Sequence, residues 1–254
     1  MIYDLQKAST GKRISAFLFD IIILAVAVTG IAFIMSAVMG FDSYNARLDA
    51  IYNEYAERYG IEVDISIDEY EKLGDEQKAI YEEADEALSK DAEANKVENL
   101  ITNLTLIMTT FSILFGYIIL ELVIPLIFKN GQTLGKKIFG IALMRTDGVK
   151  ITPLMLFVRT VLGKYTIETM IPVLIIIMTF FGQAGYVGLA VLLLIVVLEI
   201  VLLCTTKTNS TIHDMFACTV AVDIQSQMIF DSAEDLLEYK KKLHEEIVAQ
   251  SDYK

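Results

Sequence analysis

The chain has 254 residues, 54% hydrophobic and 21% charged, with a formal net charge of -12. That mixture is rare in a soluble domain and implies apolar spans separated by very polar segments. Residues 41–100 hold 18 acidic and 6 basic side chains while the rest balances at 15 of each, so one loop carries the whole imbalance. No basic face interleaved with aromatics exists to bind nucleic acid.

Two cysteines, Cys204 and Cys218, and two histidines, His213 and His244, fit neither a disulfide nor a zinc-ligand spacing. No metal and no cofactor are expected. Serine or cysteine catalysis lacks a plausible base, and His213-Asp214 lacks the further histidines of a metal phosphohydrolase. The chain is therefore not expected to be an enzyme.

In chain order, residues 1–13 form a short polar lead-in. Residues 14–39 make the first predicted membrane helix, long enough to cross a bilayer and carrying a single ionisable side chain, Asp20. Asp20 lies six residues past Ile14, roughly 9 Å along the axis. A carboxyl at that depth costs about 2.5 to 3.5 kcal/mol and calls for a partner or a task. Arg13, two turns earlier on the same helix face, is the first candidate. A cleaved signal peptide fits less well, because the apolar run is too long and contains a carboxylate.

Residues 40–99 form a predicted acidic helical insertion. Tyr44, Leu48, Ile51, Tyr52, Tyr55 and Tyr59 recur at three and four, one apolar stripe on a charged helix that ends at Gly60. After a short extended piece, Ile61 to Ile65, a second helix starts near Asp68 and restarts around Gly74-Asp75. The two stripes can close on each other as a helical hairpin.

The second span, 100–128, contains Glu121 and Pro125. Residues 129–166 form a predicted interfacial element. In it the Asp147-Gly148 turn favours a β-hairpin between residues 138–144 and 149–151, and Thr152-Pro153 starts an amphipathic helix with Arg159 and Lys164. The glycine-rich stretch with two lysines lacks P-loop spacing. The third and fourth spans are 167–181, with Glu168 at its rim, and 187–206, with Glu199 inside. Residues 207–254 carry His213-Asp214 and a charged amphipathic helix, 233–250.

Three stretches carry a resemblance. Arg13, Ala16 and Asp20 open the first span; Gly131-Gln132-Thr133-Leu134-Gly135-Lys136-Lys137 leads to Asp147-Gly148; and His213-Asp214 precedes Ala217-Cys218-Thr219, with Cys218 where a glycine is usual. Together they resemble the RDD family of small bacterial membrane proteins, over nearly the whole chain. The resemblance carries over Arg13, Asp20 and Asp214 as matched positions and implies a transport-type membrane protein.

The fold expected is an all-α membrane protein, a four-transmembrane-helix bundle with an extracytoplasmic helical hairpin and a short interfacial β-hairpin plus amphipathic helix. Basic residues flanking the spans, among them Lys12, Lys129, Lys136, Lys137 and Lys207, place both termini in the cytoplasm of a bacterial plasma membrane.

Asp20, Glu121 and Glu199 all lie six or seven residues in from the cytoplasmic ends of their helices, roughly 10 Å deep. If those helices pack together the three carboxyls meet, with Arg13, Arg159, His213 and Asp214 as charge partners. Like charges in a dry site cannot all ionise, and such a cluster can exchange protons for a monovalent cation, with Asp20 the coupling acid. The competing reading of Arg13, Arg159, Asp20 and Asp214 is a structural ion-pair knot. Four spans leave little room for two alternating vestibules, so transport calls for a homo-oligomer. A second function class is a non-catalytic protein whose hairpin or cytoplasmic element binds and regulates another membrane protein.

Overall fold

The computed structural model describes residues 5–63, 65–180 and 184–251. Asp64 of the short extended piece, and Phe181, Gly182 and Gln183 of the predicted third span and turn, lie outside them. Among the described residues, four helices are long and apolar enough to cross a membrane: α1 (Thr10–Met39), α5 (Ala92–Phe128), α7 (Pro153–Thr179 as its spanning part) and α8 (Gly185–Thr205). Their side chains present Leu, Ile, Val and Phe outward, as a lipid-facing surface requires. Internal contacts divide the chain into two units, residues 29–112 and residues 1–28 with 113–254.

In the first of these, α2 (Phe41–Tyr59) ends where Gly60 takes a left-handed conformation and returns its N–H to Ala56. The short α3 (Ile67–Glu71) opens with a reciprocal capping box between Ser66 and Glu69, and α4 (Asp75–Ser89) packs its stripe against α2. The restart expected at Gly74-Asp75 is the gap between α3 and α4. Tyr55 is buried and donates its hydroxyl to Asp91 Oδ2 at 2.9 Å. Asp91 Oδ1 in turn accepts from the Glu93 and Ala94 amides at 2.7 and 2.9 Å, capping α5.

The other unit has a two-stranded sheet at its centre. β1 (Ile141–Arg145) pairs antiparallel with β2 (Thr219–Asp223), Leu143 opposite Ala221. Ile141, Leu143 and Ala221 face one way and pack with Ala8 and Ala16; Ala142, Met144, Val220 and Val222 face the other. Both faces are covered, so both strands are apolar throughout their interior. The lead-in runs along the far edge of β2, with the Ala8 amide donating to Ala221 O at 3.2 Å.

The predicted β-hairpin forms only at its turn: the Gly148 amide donates to Arg145 O at 3.0 Å, the Arg145 amide to Val149 O at 2.8 Å, and Met144 pairs antiparallel with Lys150 in a single bridge, with no ladder beyond it. Thr152 is already the N-cap of the next helix and Pro153 has no N–H to give a ladder, so the return strand ends at once. The apolar segment 219–223, far along the chain, supplies the real partner.

The amphipathic helix expected after Pro153 is likewise not separate from the third span. Helix α7 runs from Pro153 through a π-helical stretch, Val158–Met170, into Ile171–Phe180. Gly163 does not break it: a Cβ there would stand 2.5 Å from that of His213, so the glycine is where α7 lets the short helix α9 (Ile212–Phe216) approach. A short α6 (Leu134–Ile138) follows the second span, and α10 (Ala233–Ser251) ends the described chain.

Candidate functional site

Asp20 sits on α1 beside the start of α6. Thr133, the N-cap of α6, donates its hydroxyl to Asp20 Oδ2 at 2.5 Å, and the Gly135 amide donates to Oδ1 at 2.7 Å. A Cβ on Gly135 would lie 2.4 Å from the Ala16 carbonyl, so only glycine lets this amide reach the carboxylate. The Gly-x-Thr-x-Gly run thus answers the acid in the first span with dipoles from the loop. The expected pairing with Arg13 does not occur.

Arg13 turns instead toward the chain past the last span. Its Nη1 donates to Asn209 O at 2.5 Å and its Nη2 to Asp214 Oδ2 at 3.4 Å. Asp214 is 1% exposed and accepts Nε and Nη2 of the equally buried Arg159 at 3.1 and 2.9 Å. Thr211 and Thr219 hydroxyls complete its shell at 2.9 and 3.2 Å. Burial alone would raise the Asp214 carboxyl, but the guanidiniums of Arg159 and Arg13 hold it well below the usual carboxylate range. Arg13, Arg159 and Asp214 therefore form an ion-pair knot without Asp20.

Glu121 lies in a π-helical turn, Ile118–Val123, and accepts Lys164 Nζ at 2.7 Å. In an α-helix its carbonyl would receive the N–H of residue 125; Pro125 has none, and the Thr160 hydroxyl supplies the bond at 2.9 Å. Lys136 is half-buried near this pair. Burial lowers its ammonium to about 8, with Glu121 pulling the other way.

Glu199 has a different neighbour. Its carboxyl hydrogen-bonds to that of Glu168 on α7 and receives the Ile212 amide at 3.4 Å. Glu168 also accepts from the His213 backbone amide at 2.8 Å and meets His213 Nδ1 at 2.7 Å. Burial, with Arg159 close by, pushes the His213 imidazole down to about 4, so it is neutral at neutral pH. Its Nε2 is 3.0 Å from the Thr211 hydroxyl. One ligand-type atom from each of Glu168, Glu199 and His213 lies within 4.8 Å of the others.

The three carboxyls expected to meet, Asp20, Glu121 and Glu199, therefore have three separate sets of partners. Glu168, placed at the membrane rim by sequence reasoning, belongs with Glu199 and His213. Lys136, Lys164 and Thr133 were also not singled out as partners. Helical spacing could have found Glu168, Lys164 and Thr160: they lie four residues apart on the face of α7 that also bears Arg159.

Four apolar helices, with a polar end of buried ion pairs around a small sheet, define a multi-pass helical membrane protein. The family model described as "RDD family" matches residues 7–218, most of the chain, and the protein belongs to that family. No curated protein and no solved structure matches it.

Proposed function

We propose that this is a transport-type protein of the bacterial plasma membrane, both termini cytoplasmic, that exchanges protons for monovalent cations at the Glu168–Glu199 pair. One observation carries the reading. Asp214 is bound by arginines, Glu121 by Lys164 and Asp20 by a hydroxyl and an amide, whereas no lysine or arginine forms an ion pair with Glu168 or Glu199 among the described residues. Two carboxyls that hydrogen-bond to each other hold one proton between them, and a cation can replace it. The coupling acid is then Glu199 rather than Asp20. The small number of spans supports a homo-oligomer.

Purified protein in liposomes with an internal pH-sensitive dye tests this. Imposed sodium, potassium or lithium gradients should move protons, and Glu199→Gln should abolish the movement. Absence of flux in the wild type, or full flux in the variant, ends the exchange reading. The acidic exterior of α2 and α4 favours a second reading, an interaction protein that docks another membrane protein there; deleting residues 44–88 would then abolish its co-purification.

A further inference from the structure

The Glu168–Glu199–His213 cluster rests on the same site as that reading but carries a separate chemical claim, a different class of cation. Three segments converge here: the π-helical part of α7, the last third of α8, and α9. Each contributes one oxygen or nitrogen, mutually within 4.8 Å. We propose that these three side chains form a binding site for a borderline divalent transition-metal cation of the zinc type.

The argument begins with the imidazole. Alkali and alkaline-earth cations take oxygen ligands, whereas an imidazole nitrogen beside two carboxylates suits zinc, cobalt or nickel. The orientation of the ring is built in. The bare Cα of Gly163 allows α9 to press against α7, and the His213 backbone amide is tied to Glu168.

Thr211 stands 3.0 Å from Nε2, where it can accept that N–H once a metal occupies Nδ1, the outer-shell partner that metal-bound histidines have. The nearby cations are already committed. Arg159 and Arg13 are bound to Asp214, and Lys164 to Glu121, so among the described residues no lysine or arginine forms an ion pair with the two carboxyls. Entry of a divalent ion releases the proton between Glu168 and Glu199 to solvent, and coordination at Nδ1 leaves the imidazole proton on Nε2, facing the Thr211 hydroxyl.

The test uses the full-length protein in detergent, carrying Cys204→Ser, Cys218→Ser and His244→Gln to remove the other soft ligands. Titration with Co²⁺ should give a saturable ligand-field absorption at one ion per chain. Zn²⁺ should displace it, and Mg²⁺ or Ca²⁺ should not. Glu168→Gln and Glu199→Gln, both close to isosteric, should each weaken binding at least about tenfold while the metal-free protein keeps its melting temperature.

No saturable absorption, or unchanged affinity in Glu199→Gln, overturns the metal site. Alkali-driven proton flux in metal-free liposomes that survives such a result leaves the exchange reading standing. A cobalt signal without any flux does the reverse.

Discussion

Cys218 links sequence and backbone at the scale of one residue. Its φ is +49°, in the left-handed region that favours glycine. The geometry that glycine adopts freely is retained by a side chain that pays roughly 1–2 kcal/mol for it. Cys218→Gly should stabilise the protein by up to about 1 kcal/mol, part of the relief being offset by the greater freedom of glycine in the unfolded chain. Thermal unfolding in detergent would read this as a higher midpoint; an unchanged or lower one contradicts it. Asp20 teaches the complementary lesson. Its need for a partner was legible from its depth in an apolar run, but the partner was not. Arg13 had the right charge and helical spacing, yet Thr133 and Gly135 reach the carboxylate from far along the chain.

Among the elements, the spans were legible because length and hydropathy alone decide them, and the two stripes of the acidic insertion were legible from their period. The β1 partner was not, because strand pairing between residues 141–145 and 219–223 is a long-range choice while the Asp147-Gly148 turn is a local one. The α5 N-terminus makes a pH prediction. The Ala94 amide, then the Tyr55 hydroxyl and the Glu93 amide, hold the Asp91 carboxyl below its ordinary value. A carboxyl depressed in the folded state contributes stability that is present above its unfolded value and is lost as pH falls through the folded one. Acidification below about pH 4 should therefore speed amide exchange at Glu93 and Ala94, and Asp91→Asn should remove that dependence. Exchange at these amides that ignores pH beyond its intrinsic chemistry would count against the cap.

For the whole molecule, the Arg13–Asp214–Arg159 knot joins the first span, the third span and the segment after the fourth. Removing one partner of a buried pair leaves an uncompensated charge, whereas removing both with apolar residues of similar size costs little. Arg159→Met should destabilise by about 3–5 kcal/mol, and Arg159→Met with Asp214→Leu by clearly less. Chemical denaturation in mixed micelles separates these outcomes; equal losses in both variants would mean that the knot does not act as a pair.

The lead-in lies along β2, with Lys12 bonded to Asp223 at 2.5 Å. These two residues are 211 positions apart, Lys12 in the first turn of α1 and Asp223 beyond the fourth span. A nascent chain cannot seat residues 5–12 against β2 until the ribosome has delivered the fourth helix and that strand. Residues 5–12 thus go without this strand through most of synthesis, and truncation anywhere before β2 removes the edge on which they dock.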